Sequence, residues 1–226
     1  MTTVSASDEL AQAAFTFLQE QLEDAQRACI TSSFQAEDVA VVHMARQIRP
    51  EIPVLFLETG YHFPETLTYR DRIAAEWNLN LVNVEPEITV AEQESKFGIL
   101  NQTAPDRCCG LRKVEPLFRA LGGYTTWVTG LRREQSKTRA NLQPREFFTL
   151  PTGHILAKLS PLAEWTTRDV WRYAEQNNIP LLPLYDKGYT SIGCAPCTSL
   201  PFDPEDARSG RWSGRKVECG IHLQAK

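Results

Sequence analysis

ACITSSFQAEDVAVVHMARQI, residues 28–48, decides the fold. Ala28 to Thr31 read as a short buried strand. Ser32, Ser33, Phe34 and Gln35 make a small polar turn. AEDVAVVHMARQI then repeats apolar residues at helical spacing, with Glu37 and Asp38 in the first turn, where acidic side chains offset the positive end of the helix dipole. The unit recurs at once. PVLFLETG (residues 53–60) is a second buried strand ending at Thr59-Gly60, FPETLTYRDRIAAEWN (residues 63–78) a helix with Pro64 near its start, and LNLVNV (residues 79–84) a third strand. Strands alternating with helices predict a parallel, twisted α/β sheet flanked by helices.

Outward from this core the pattern continues. Ser7 with Leu10, Ala14, Phe17, Leu18 and Leu22 predicts a capped amphipathic helix. The stretch from Glu85 to Arg107 is less regular. RKVEPLFRAL (residues 112–121) predicts a helix, YTTWVTG (124–130) and HILAKLSPL (154–162) strands, and TTRDVWRYAEQNN (166–178) a helix with a threonine cap. Beyond Ile179 turn residues dominate. The reading gives one α/β domain over residues 1–200 and a mobile C-terminal segment over residues 201–226.

The 226 residues are 42% hydrophobic and 23% charged, with a net charge of −4, values that suggest neither disorder nor a general nucleic-acid surface. MTTVSASDELAQAAF lacks the basic and apolar regions of a secretory signal, and no stretch approaches the roughly 18 apolar residues of a membrane helix. The expectation is a cytoplasmic protein with no membrane or nucleic-acid partner, in which paired cysteines serve metal or redox chemistry rather than structural disulfides.

In a parallel sheet, ligands bind beyond the C-terminal strand ends. Ser32 to Gln35 offer hydroxyls, backbone N–H groups and a helix N-terminus suited to a phosphate, and Leu57, Thr59 and Gly60 stand at the next strand end. Each is also what an ordinary strand-to-helix loop looks like. The first loop is no Walker A motif, lacking its glycines and its Lys-Ser/Thr pair. Cys108-Cys109 and Cys194-Cys197 supply four thiolates in two groups. Such a set holds zinc or an iron–sulfur cluster, or forms a redox-active CxxC; adjacent cysteines fit a zinc ribbon poorly, whereas neighbouring thiolates can reach separate corners of a cubane. Basic residues crowd around them: Arg107, Arg112 and Lys113, then Arg132, Arg133, Lys137 and Arg139, then Arg208, Arg211, Arg215 and Lys216. Most such charges are solvated, but a small polyanion needs donors from several segments. Cys219 stands apart, on a basic tail where its thiolate is accessible and favoured. His222 is close enough in sequence to tune it. Cys29, inside the first strand, reads as a small buried hydrophobe.

SSFQAEDV, LETGYHFPET, CCGLRKVEPLFRAL, TGLRREQSKTR, PLAEWTTRDVW, GYTSIGCAPCT, GRW and ECGIH follow one another between about residues 28 and 222. In these motifs the chain resembles the thioredoxin-dependent assimilatory sulfonucleotide reductases, in particular their iron–sulfur branch, the adenylyl-sulfate reductases. The resemblance implies an adenine-nucleotide α-hydrolase-like fold and the reduction of adenosine 5′-phosphosulfate to sulfite and AMP, with thioredoxin or a glutaredoxin-like protein as donor. It implies a [4Fe-4S] cluster on Cys108, Cys109, Cys194 and Cys197, with Cys219 as nucleophile carrying an S-sulfonate intermediate. It places Lys113 between cluster and substrate, Arg139, Arg208 and Arg211 on the phosphosulfate, and Ser32, Ser33, Phe34, Gln35, Leu57, Thr59, Gly60 and Gly130 around the nucleotide. A homo-oligomer is compatible with it. The sequence departs from the family at Glu58, where aspartate is common, at Ser213, where an aromatic residue is common, and at Gln35, where a small residue is frequent. The rival readings are a reductase of the 3′-phosphorylated nucleotide, which typically lacks both cysteine pairs; a tRNA-thiolating enzyme, whose SGGxDS loop is absent here; and a non-enzymatic zinc module.

Overall fold

The structure is a computed structural model that describes residues 6–214, 216 and 218–222. Strands β1 (Ala28–Thr31), β2 (Val54–Leu57), β3 (Leu81–Val84), β4 (Thr126–Val128), β5 (Arg145–Thr149) and β6 (Ile155–Leu159) form one sheet in the order β3-β2-β1-β4-β6-β5. All neighbours are parallel except β5 and β6, which pair antiparallel. The expected parallel α/β sheet is therefore present, with one antiparallel edge that sequence reading did not place. The cause is the short connection at residues 150–154, with Gly153 at φ +83°, which permits only a hairpin. Phe148 points into the core while Phe147 stays 63% exposed.

Side chains alternate across the sheet and build a core on each face. Ile30, Val54, Phe56, Val128 and Leu159 face one side, against α1 (Ala6–Glu23), α2 (Ala36–Ile48), α3 (Pro64–Glu76) and α8 (Thr167–Gln176). Cys29, Leu55, Trp127 and Leu156 face the other, with Leu117 and Leu121 of α7 (Glu115–Leu121). Cys29 is fully buried, as expected, and burial drives its thiol far above the ordinary range. α1 begins one residue before Ser7, so Ser7 lies inside the helix rather than at its cap. Pro64 opens α3, and Thr166 caps α8 by accepting from Asp169 N.

Between β3 and α7 the chain forms α4 (Val90–Phe97), α5 (Leu100–Thr103) and α6 (Pro105–Cys109), which runs through a π-turn, Gly110–Val114, into α7. Pro116 has no N–H to return to the Arg112 carbonyl, and Glu115 N bonds instead to Gly110 O, five residues back. The wide turn lies between the cysteine pair and α7 and carries Arg112 and Lys113. No helix among the described residues is long and apolar enough to cross a membrane.

The chain does not part at residue 200. Thr198 bridges Arg211, Ser199 N donates to Gly210 O at 2.9 Å, and Ser209, Arg211 and Trp212 are buried. The last described residues are also seated on the body rather than extended as an appendage: Ile221 packs on the second core and His222 stacks on Trp127 at 5.4 Å.

Candidate functional site

β1 pairs with β2 on one side and β4 on the other, so the strand order reverses at β1. A crevice opens at such a point beyond the strand ends. The loops Ser32–Gln35, Leu57–Gly60 and Thr129–Arg132 follow the C-terminal ends of β1, β2 and β4 at this point. Gly130 fits against the first turn of α2; a Cβ there would come within 2.4 Å of Asp38 Oδ1. Asp38 accepts from Ser33 N at 2.7 Å and Ser33 Oγ at 2.6 Å. Burial pushes its carboxyl up to about 6 against the lowering effect of those two bonds.

The first loop is more specialised than its sequence indicates. Phe34 has φ +59°, an uncommon conformation for a side chain of its size. Its ring is buried in edge contact with Phe56 at 5.9 Å and Tyr69 at 6.4 Å. Phe34 thus anchors the turn in the core through its ring, because an apolar ring gains by burial, and its backbone N donates to Ser32 Oγ at 3.1 Å. Gln35 donates to Ser33 Oγ at 3.0 Å and accepts from Ile192 N at 2.7 Å, joining this loop to the segment before Cys194. A small residue would lack that reach.

The second loop meets the cysteines directly. Thr59 is fully buried with Oγ1 3.3 Å from Cys194 Sγ, and Ala195 N donates to Tyr61 O at 2.7 Å. Gly60, at φ +73°, has Val90 Cγ2 2.7 Å from where a Cβ would stand. Glu58 accepts from Gly60 N at 2.9 Å and pairs with Arg70 at 3.2 Å.

Cys108 and Cys109 on α6, and Cys194 and Cys197 around a 3-10 turn, line one small cavity with Arg112, Lys113, Arg211 and Trp212. All are free thiols. Burial first, then the neighbouring thiols, pushes Cys108 up to about 11; burial likewise raises Cys109 and Cys197. At Lys113 burial acts to lower the pKa, but Cys194 and Cys219 outweigh it and hold the ammonium charged. Among the described residues no group of three or more His, Cys, Asp or Glu forms a site for a single metal ion. The thiols surround a space rather than a point. A cubane needs this kind of donor set: one thiolate per corner around a void, with cations nearby to offset the charge. The residues fit such a cluster.

Some of the basic residues are struts, and others gather into a cationic group near the cysteines. Arg112 is a strut: it is buried, with Nε donating to Thr59 O, and with Nη1 donating at 3.3 Å to both Ile88 O and Gln93 Oε1. Arg132 is another, paired with Glu37 at 2.9 Å and Glu134 at 2.7 Å. Arg107 covers the Phe97 ring at 4.1 Å. Arg215 lies outside the described residues. Lys113, Arg211, Arg208 and Arg139 form one electrostatic group, Lys113 coupled to Arg211 and Arg208 to both Arg211 and Arg139. Cys219 lies within their electrostatic reach, interacting with Lys113, Arg208, Arg211 and Cys109. Five of the six cysteines thus gather at one end of the sheet.

Glu218 was not anticipated as part of the site. Its carboxylate accepts from Arg139 Nε at 2.9 Å and Nη2 at 2.7 Å, from Ser136 Oγ at 3.0 Å and from Thr138 Oγ1 at 3.1 Å; Arg208 Nη2 stands 4.0 Å away. The only sequence signal was its place beside Cys219.

The comparisons agree with this architecture. The chain is 47% identical over 198 residues, 87% of its length and 82% of the relative's, to a Streptomyces coelicolor protein named adenosine 5′-phosphosulfate reductase. It is 48% identical over 189 residues, 83% of its length and 79% of the relative's, to a Mycolicibacterium smegmatis protein of the same name. The crystal structure of phosphoadenylyl-sulfate (PAPS) reductase from Candida auris, in a phosphate complex, superposes with a TM-score of 0.71 at 25% identity, covering 85% of this chain and 97% of that one. Residues 27–200 match the family described as the phosphoadenosine phosphosulfate reductase domain, and the chain belongs to that family.

Proposed function

We propose that the protein is an assimilatory adenylyl-sulfate reductase, converting adenosine 5′-phosphosulfate to sulfite and AMP with electrons from thioredoxin or a similar dithiol protein. The observation that carries the reading is the gathering of Cys219 with Lys113, Arg208 and Arg211 beside the four-cysteine cavity. The names of the relatives at 47% and 48% identity favour the unphosphorylated 3′ position. The expected compartment is the cytoplasm.

The crevice loops take the nucleotide, with Ser33 and the backbone of Phe34 at its phosphate. Arg139, Arg208, Arg211 and Lys113 offset the two negative charges that would otherwise repel a thiolate. Cys219 Sγ attacks the sulfate sulfur; the S–S bond forms as the S–O bond to AMP breaks, leaving Cys219–S–SO3⁻ and AMP. A donor thiolate then attacks Cys219 Sγ, releasing sulfite, and the donor's second thiol resolves the mixed disulfide. One dithiol is oxidised, two electrons reduce sulfur from S(VI) to S(IV), and Cys219 is regenerated as a thiol. Cys108, Cys109, Cys194 and Cys197 would hold a [4Fe-4S] cluster. When bound it supplies local charge and order around Lys113, and the electrons come from the donor.

The test is an assay of both sulfonucleotides with reduced thioredoxin. The expected result is a higher kcat/KM for adenosine 5′-phosphosulfate. Preference for the 3′-phosphorylated compound would reassign the substrate.

A further inference from the structure

Glu218 makes the contacts expected of a bound oxyanion. Two oxygens receive a two-pronged guanidinium from Arg139 at 2.9 and 2.7 Å and hydroxyls from Ser136 and Thr138 at 3.0 and 3.1 Å, with Arg208 at 4.0 Å. The Glu218 and Arg139 side chains are 10% and 11% exposed, so the pair is largely out of water. The donors come from residues 136–139 and from Arg208, while the acceptor comes from the segment that carries Cys219. Such a set would equally hold one face of a sulfate or phosphate, since planar forks and hydroxyls suit both groups. Two anions cannot share it: each would take the donors the other needs, and their charges repel in a poorly screened site.

We propose that Glu218 is a built-in substitute for the anionic end of the substrate: in the resting protein it fills the Arg139 clamp and pins the Cys219 segment, and the incoming nucleotide displaces it. The inference rests on the reading of Arg139 and Arg208 as substrate-binding residues. It adds an exchange, in which occupation of the clamp by substrate releases the polar anchor of the segment that must first attack the nucleotide and then meet a protein donor. Ile221 on the second core and His222 on Trp127 keep the segment nearby once Glu218 leaves. Before substrate arrives, the latch restrains a reactive thiol.

E218Q tests this, because glutamine keeps the size and one acceptor but loses the charge. Binding is measured on the cluster-containing protein, in a Cys219→Ser background that prevents turnover. Adenosine 5′-phosphosulfate should bind about tenfold more tightly to the E218Q protein, as expected if the clamp is open in only about a tenth of resting molecules. Adenosine, which has no anionic end, should bind equally with and without the substitution. With Cys219 restored, iodoacetamide should label the Cys219 peptide faster in E218Q than in wild type. Unchanged or weaker nucleotide binding in E218Q would overturn the latch. R139A separates the two failures: if R139A weakens binding and E218Q does not strengthen it, only the latch falls; if R139A binds as wild type, the clamp is not the substrate's anion site and both fall.

Discussion

The guanidinium of Arg211 lies flat against Gly193: a Cβ on that glycine would come within 2.1 Å of Nη2. Arg211 is buried, donates from Nε to Cys197 O at 3.4 Å and lies 4.5 Å over the Trp212 ring. The glycine before Cys194 is thus required by the arginine that braces the CAPC turn. G193A should push Arg211 or the turn aside, with an overpacking cost of about 1–3 kcal/mol. Iron content and activity should fall together while far-UV circular dichroism stays the same. Full iron and activity in G193A would mean that Arg211 can move without consequence.

The four-cysteine cavity makes a separate prediction about metal. Protein purified without air should be brown and carry about four irons per chain. C108S and C197S should lose iron, colour and activity. C29S should keep all three, because that thiol is sealed inside β1 in the second core and does not line the four-cysteine cavity. A colourless, zinc-loaded and active preparation would remove the cluster from the account.

Arg112 and Lys113 are neighbours in sequence with opposite duties. Arg112 ties Thr59, Ile88 and Gln93 together, so R112A should strand buried acceptors and lower stability by about 2–4 kcal/mol. K113A leaves no such set unpaired. It should unfold near the wild-type midpoint yet lose activity about tenfold to a hundredfold, the worth of one charge-assisted contact. Denaturation midpoints and kcat/KM for the pair check this, and equal effects on stability would erase the distinction.

Much of the fold was legible because β1–α2 and β2–α3 carry unambiguous periodicity, and because Thr166 and Pro64 mark helix starts. β5 was missed because Glu146 and Arg145 dilute a short edge strand whose partner follows it. The cysteine cavity was legible as two pairs, but its bracing was not: Thr59, Gln35 and Gly193 act through tertiary contacts with no local signature. The Phe34 loop was legible as a strand-to-helix turn, but the burial of its ring was not, because tertiary packing against Phe56 and Tyr69 decides it. Glu218 escaped because a glutamate in a basic tail reads as a solvated charge.

Asp38 should leave a signature in the pH dependence of stability. Burial lifts its carboxyl from 3.8 to about 6, with Glu37 adding and Ser33 and Arg139 opposing. The unfolded chain releases this proton near pH 4 and the folded chain only near pH 6, so the folded state binds more protons between them. Its contribution is present below that window and lost as pH rises through it. D38N removes the titration while keeping an acceptor for Ser33. The stability of D38N relative to wild type should therefore climb by about 1–2 kcal/mol between pH 4.5 and 6.5 and then level off. Urea unfolding across this range measures it, and a flat difference would show that Asp38 stays in one protonation state.

Cys219 is the residue on which the proposed chemistry turns. It is the one cysteine outside both the buried strand and the four-cysteine cavity, and it sits among Lys113, Arg208 and Arg211. C219S should keep its iron, because the four cavity cysteines are untouched, and should still bind nucleotide through the crevice loops. It should form no sulfite, since a neutral hydroxyl without an activating base is a poor nucleophile. In wild type, adenosine 5′-phosphosulfate without a donor should release about one AMP per site and stop, because the first half-reaction consumes the thiolate and only the donor restores it. Peptide mass spectrometry should find the added SO3 on Cys219, and reduced thioredoxin should remove it. An adduct on Cys29 or a cavity cysteine, or normal turnover by C219S, would place the nucleophile elsewhere.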